Sequence, residues 1–201
     1  VGAGFAGMYA ALAAARLRDE QGVSPDTLEI AVVAPEPRLV IRPRLYERAP
    51  ETMVAPLTEL FDAVDVRYEQ GRVDVIDSAK KSAEIVGPDG MRRSLSYDRL
   101  VLAAGSLGVK PDIPGLAKYG FSVEQLDEAI TLDHHLNALA NRPSSAARDT
   151  VVVAGGGFTG IEVATEMPSR LRAILGPTAN VRVIIVDRNE VIAPAMGADP
   201  R

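Results

Sequence analysis

The chain contains no cysteine. That excludes a disulfide framework, a thiolate metal site and any dithiol mechanism. Histidine is nearly as scarce, with only the adjacent pair His134 and His135. Neighbours on a helix diverge by ~100°, so they are poorly placed to share a metal, and no metal site is expected. Basic charge is also in deficit. A formal net charge of −5 leaves no global field to attract nucleic acid or anionic lipid. No apolar run approaches the roughly 18–20 residues that a membrane span requires. The sequence does not begin with Met, and no signal peptide is expected in it. What is present, 47% hydrophobic and 24% charged residues in 201, suits a soluble α/β protein of one domain or two small ones.

Glycine is where the information lies. Gly2-Ala3-Gly4-Phe5-Ala6-Gly7 and Gly155-Gly156-Gly157-Phe158-Thr159-Gly160 both read G-x-G-x-x-G. One such hexapeptide is weak evidence, because the pattern is permissive. Two of them, each leading into a helical pattern and then a Val/Ile run, indicate two dinucleotide-binding units. Each glycine has a task in that motif. The first turns the chain tightly out of a strand, the second lets backbone approach a pyrophosphate, and the third lets helix and strand pack closely. The roles fall on Gly2, Gly4 and Gly7, then on Gly155, Gly157 and Gly160. The pyrophosphate would lie at the helix N-terminus, where unpaired N–H groups and the helix dipole favour negative charge. The bland alternative is a glycine turn that packs a helix and holds nothing.

The remaining pattern is strand and helix in alternation. Residues 5–18 and 161–175 read as helices, and Val123–Leu139 as another. Leu28–Val33, Val64–Tyr68, Gly71–Asp77, Thr150–Ala154 and Val181–Val186 read as strands. Residues 83–97 form a strand, turn and strand, giving a β-meander. Asp98–Gly105 reads as a further apolar strand, and Pro111–Gly115 as the link to the second unit. Pro35, Pro37 and Pro43 hold their segment extended or turning. The fold class is therefore α/β, with two Rossmann-like dinucleotide-binding units and a β-meander. It is expected to be truncated at both ends: only Val1 precedes Gly2, where a strand is needed, and residues 196–201 stop just after a strand and a turn.

A carboxylate at the end of the second strand of such a unit accepts hydrogen bonds from a ribose diol. Asp187 follows Val186 in that place, somewhat further past the last glycine than the usual ~20 residues. An aspartate there repels a 2′-phosphate, so NAD is favoured over NADP, although the neighbouring Arg188 softens the choice. In the first unit the strand ends at Ala34, and the nearest carboxylate is Glu36. It is either a ribose contact or a solvated loop charge.

Together these residues resemble the two-dinucleotide flavoproteins, the FAD-dependent pyridine nucleotide-disulfide oxidoreductases, and within them the type II NADH dehydrogenases (NADH:quinone oxidoreductases). Tyr97–Ser106 is similar to the family's second FAD-side motif, with Ala104 where Thr is usual. Arg42-Pro43-Arg44-Leu45-Tyr46 is similar to a segment that runs past the flavin, and Gly160-Ile161-Glu162-Val163-Ala164 to a helix start whose Glu lies near the nicotinamide. The resemblance implies FAD at the first fingerprint and NAD(P)H at the second, with residues 1–115 as part of an FAD-binding domain and 116–201 as part of an NAD(P)H-binding domain.

The resemblance also implies roles for single residues. Glu162 would orient the nicotinamide carboxamide, Arg42 and Pro43 would pass the isoalloxazine, Val73 would offer backbone to adenine, and Gly105 would lie near the flavin diphosphate. The plainer readings are a helix-dipole carboxylate for Glu162 and a surface charge for Arg42. The chain departs from the family in Ala34 and in lacking the reductase dithiol and the closing Gly-Asp motif. The activity implied is hydride transfer from NADH to flavin and on to a quinone. The alternatives are a soluble ferredoxin or small-acceptor reductase and a non-catalytic NADH-sensing flavoprotein. The resemblance further implies a cytoplasmic protein, peripheral at the inner face of the membrane through a C-terminal part, and a homodimer. The 201 residues alone are expected to be inactive.

Overall fold

In the computed structural model, residues 1–193 are described. The turn expected at 196–201 lies outside them. The chain packs as two compact units, the first made of Val1–Val40 and Val54–Gly108, the second of Ile41–Met53 and Val109–Arg201. A division at residues 115 and 116 differs from this packing in two places. The units part at 108–109, and the 41–53 excursion packs with the second unit rather than with the residues that flank it.

The first unit begins with helix α1, Phe5–Glu20. Alanines make it a strong helix former and keep one side narrow enough to lie on a sheet. That side buries Met8, Ala11 and Ala15 against Val32 and Val66. Strand β1, Ile30–Ala34, follows, then the short β2, Arg38–Val40, and β3, Val54–Pro56, which pair antiparallel. Helix α2, Thr58–Asp62, buries Phe61 completely and leads into β4, Val66–Gln70. β4 lies parallel to β1, with Ile30 opposite Val66 and Ala34 opposite Gln70. Three strands complete the unit: β5, Arg72–Asp77, β6, Ser82–Val86, and β7, Arg92–Ser96. They form an antiparallel sheet in the order β5-β6-β7.

The strand expected at 98–105 is not regular. Val1 donates its N–H to the Val101 carbonyl at 2.7 Å and accepts from the Ala103 N–H at 2.8 Å. These two bonds flank Leu102, and among the described residues no regular strand spans 98–105. The proline-rich stretch differs too. It contains β2, which pairs with β3, and two 3₁₀ turns, Arg42–Arg44 and Pro50–Thr52, each with proline near its start.

In the second unit, α3 is a single turn, Leu116–Tyr119, and α4 spans Leu126–Ala138. Strand β8, Thr150–Ala154, helix α5, Phe158–Leu175, and strand β9, Arg182–Val186, follow. β8 and β9 are parallel, with Ala154 opposite Val186. α5 continues through Pro168 and buries Met167 and Leu171 with Leu136 and Leu139. Among the described residues no helix is long and apolar enough to cross a membrane.

Candidate functional site

The two fingerprints fold alike. Gly2 and Gly155 have φ of +102° and +115°, in the region that only glycine enters without strain. Each donates its N–H to the end of the neighbouring strand: Gly2 to Val33 and Gly155 to Val186, both at 2.8 Å. The third glycines close on the first. A Cβ added to Gly7 would lie 1.9 Å from the Gly2 carbonyl oxygen, and one on Gly160 would lie 1.9 Å from that of Gly155. The second glycines are the reverse case, since a Cβ on Gly4 or Gly157 would meet nothing within 4 Å. That open face is where another molecule can reach the backbone.

Gly4 and Gly157 are also the N-caps of α1 and α5. No side chain caps either helix, and neither has an acidic residue in its first turn. The terminal N–H groups are thus left to an anion, as a pyrophosphate requires. The residues present fit that group at both places.

Around the first loop the chain gathers the carboxyl ends of β1 and β4, where α/β sheets take their ligands. The Gly71 N–H reaches the Ala34 carbonyl at 3.0 Å, the Tyr68 hydroxyl donates to the same carbonyl at 2.6 Å, and Gln70 Nε2 donates to the Pro35 carbonyl at 3.0 Å. Burial pushes the Tyr68 hydroxyl above its usual range, helped by the charge of Glu36. Glu36 is therefore close to this strand end, but it is exposed and ion-paired with Arg38 at 2.7 Å. Val73 pairs with Ile85, and the register slips between Val73 and Val75, a bulge next to this strand end. From the other side comes the 103–105 segment. A Cβ on Gly2 would lie 2.2 Å from the Ala103 carbonyl oxygen, and Gly105 has φ +74° with open space beside it. Gly2, Gly7 and Ala103 thus close on one another at this loop, while Glu36 follows the end of β1 and Val73 lies in β5.

The Gly2 and Gly155 hydrogen bonds make Ala34 and Asp187 equivalent, each one residue past the carbonyl that accepts. Asp187 is used for more than its charge. Its Oδ2 accepts the Gly156 N–H at 2.6 Å and its Oδ1 the Asn189 N–H at 2.7 Å. These two bonds, Gly156 first, hold its carboxyl below the usual carboxylate range. Gly156 is further closed in, its carbonyl accepting from the Ala193 N–H at 2.7 Å. Sequence reasoning missed Gly156 and Asn189, although an Asp two residues before an Asn is a readable turn signal. In the first unit Ala34 offers no carboxylate, and its carbonyl is taken up by Tyr68 instead.

Glu162 sits in the second turn of α5 and is exposed. Arg42 and Pro43 lie in the 3₁₀ turn of the excursion, in the second unit. Pro43 is exposed, while Arg42 donates from Nε to the Glu124 carbonyl and from Nη2 to its carboxylate, both at 3.1 Å. Among the described residues no cluster of His, Cys, Asp or Glu could hold a metal ion.

Residues 1–200 match the family model described as pyridine nucleotide-disulphide oxidoreductase. A protein of Mycobacterium tuberculosis named NADH dehydrogenase-like protein is 41% identical over 209 residues, covering 100% of this chain and 50% of its own length. The demethylphylloquinone reductase of Synechocystis is 31% identical, covering 92% of this chain and 45% of its own. The chain thus spans about half the length of these curated relatives. Its fold is also that of the NDH2 of Plasmodium falciparum, solved with NADH, at a TM-score of 0.72 and 17% identity over 86% of this chain and 39% of that one. The chain belongs to the pyridine nucleotide-disulphide oxidoreductase family.

Proposed function

We propose that this chain is the cofactor-binding part of an NADH-oxidising flavoprotein that delivers electrons to a quinone. In this reading residues 1–115 hold FAD and 116–201 hold NADH, each in a Rossmann-like unit. The observation that carries the reading is the duplicated loop, in which Gly4 and Gly157 leave backbone open at an uncapped helix start. Bound together, the two cofactors supply a hydride donor and an acceptor able to pass electrons on, and the protein supplies orientation and electrostatics.

The chain's own residues then have defined tasks. Gly4 and Gly157 admit the two pyrophosphates. Asp187, kept ionised by the Gly156 and Asn189 N–H groups, accepts from the ribose hydroxyls and repels a 2′-phosphate, which selects NADH over NADPH. Glu162 offers an acceptor to the nicotinamide carboxamide. Val73 presents backbone to adenine, and Gly105 lies by the flavin diphosphate. Glu36, with its Arg38 partner, takes the place that Ala34 leaves vacant in ribose binding. Arg42 and Pro43 pass the isoalloxazine. A quinone acceptor is supported by the relative named for demethylphylloquinone reduction, and in this reading the working enzyme is cytoplasmic and peripheral at the inner face of the membrane.

The test is the anaerobic visible spectrum of protein purified from the complete reading frame that contains this chain, before and after NADH. Flavin bands that bleach with NADH but not NADPH, and return with a quinone, are expected. A protein that stays colourless after FAD reconstitution would sink the reading. Reoxidation by ferredoxin but not by quinone would move it to the soluble reductases.

A further inference from the structure

The 41–53 excursion is continuous in sequence with β2 and β3, yet its packing partners are in the second unit. Its neck is closed by the Ile41 N–H donating to the Met53 carbonyl at 2.9 Å. Within it, Arg44 N–H reaches the Ile41 carbonyl at 3.0 Å and Leu45 N–H the Arg42 carbonyl at 3.1 Å. Leu45, 1% exposed, anchors its apolar side. Beyond that turn the carbonyls of Tyr46 and Glu47 still need donors.

One side chain supplies them. Arg170 on α5 is 2% exposed. Its Nη1 donates to the carbonyls of Tyr46 at 3.0 Å and Glu47 at 3.3 Å. Its Nη2 donates to the Asp133 carboxylate of α4. The other oxygen of Asp133 accepts from Asn137 Nδ2 at 2.8 Å. An apolar side chain of the same volume would often stabilise such a site as well or better than a buried ion pair. What the planar guanidinium adds is direction, since it fixes two backbone oxygens in one register relative to the helix that carries it. That helix starts at the Gly155–Gly160 loop.

We propose that Arg170 is a positioning residue, which from the dinucleotide-binding helix α5 fixes the 41–53 excursion and with it Arg42 and Pro43, the residues given above to the isoalloxazine. The inference rests on the functional reading above. It assigns Arg170 no contact with either cofactor. It makes the 41–53 excursion a part held in register by the same helix that begins at the NADH loop.

The experiment compares wild type, Arg170→Lys, Arg170→Met and the exposed control Arg172→Lys in protein from the complete reading frame. A lysine still reaches Asp133 but cannot also hold both carbonyls, so Arg170→Lys keeps the charge pair and the fold. Hydrogen exchange is expected to rise in 41–53 and to stay slow in β8 and β9. In the flavin-loaded protein, reduction by saturating NADH should slow by about tenfold or more, as misplacement near a reacting centre does, with KM for NADH little changed and the flavin band shifted. Arg172→Lys should change neither. A lowered melting temperature with exchange at 41–53, flavin spectrum and reduction rate all as in wild type would overturn the proposal and leave Arg170 a core charge. So would faster exchange at 41–53 with an unchanged rate. If NADH fails to bleach even the wild type, the functional reading has failed, while exchange at 41–53 still decides whether Arg170 holds the excursion.

Discussion

Gly157 and Gly160 separate binding from folding within one loop. Gly157 has extended backbone, φ −77° and ψ −175°, that any residue adopts, and its missing side chain faces open space. Gly157→Val should therefore cost less than about 1 kcal/mol of stability, chiefly as a poorer N-cap, yet weaken NAD⁺ at least about tenfold, or 1.4 kcal/mol. Gly160→Ala should do the opposite. Its Cβ would fall 1.9 Å from the Gly155 carbonyl oxygen, an overpacking that costs about 1–3 kcal/mol. Thermal melts and NAD⁺ titration of both variants decide the point, and equal losses of stability would contradict it. Asp187 adds a pH signature. Its carboxyl is lowered by hydrogen bonds that exist only in the folded loop. The stabilisation it gives is complete above the unfolded value of ~3.9 and is lost as pH falls through the lower folded value. The Gly156 amide shift should thus be flat at neutral pH, titrate below the unfolded value of ~3.9, and lose that titration in Asp187→Asn. These glycines and this aspartate were legible in the sequence because each role is local: a turn, a close approach, a strand end.

Elements were legible where their period is local and hidden where their partner is distant. The alanine-rich start of α1 and the Val runs of β8 and β9 declare themselves, because a helix makes its own hydrogen bonds and a parallel core strand is apolar throughout. Asp98–Gly105 carries the same apolar signal as β8 but forms no regular strand among the described residues, although its Ala103 lies against Gly2 and Gly7. The β2–β3 pair was masked by the prolines on either side of it. Long-range arginines are the least readable of all, since an Arg in a helical pattern looks like solvent-facing charge. Arg18, the last buried position of α1, is 1% exposed. It donates to the carbonyls of Val64 at 2.9 Å and Asp65 at 3.1 Å, just past the end of α2. Arg18→Met should keep most of the packing yet leave two carbonyls without their donor, costing about 2–4 kcal/mol. Urea unfolding with an unchanged m-value should show it, and a loss below about 0.5 kcal/mol, the range of ordinary surface changes, would contradict that assignment.

At the scale of the whole chain, two units with the same loop pose the question of which cofactor each one holds. The loops themselves do not discriminate, since Gly2–Gly7 and Gly155–Gly160 present the same open second glycine and closed third glycine. What differs is the strand end: a carboxylate bound to the loop at Asp187, against Ala34 with its carbonyl taken by Tyr68 and a Glu36–Arg38 pair nearby. An ionised acceptor that excludes a 2′-phosphate is a device for choosing between NADH and NADPH, a choice FAD never poses. In the function proposed above, that difference is why the second loop is given to NAD and the first to FAD. Ligand that binds only the folded state at 100 times its Kd adds about 2.7 kcal/mol, and amides that exchange through opening of that unit slow accordingly, by roughly 100-fold. FAD should slow exchange in the first turns of α1 and in β1 and β4, NAD⁺ in β8, the start of α5 and β9. In Asp187→Ala the NAD⁺ effect should shrink while the FAD effect stays whole. If FAD instead protects β8 and β9, or if Asp187→Ala weakens FAD as much as NAD⁺, the two loops have been assigned the wrong way round.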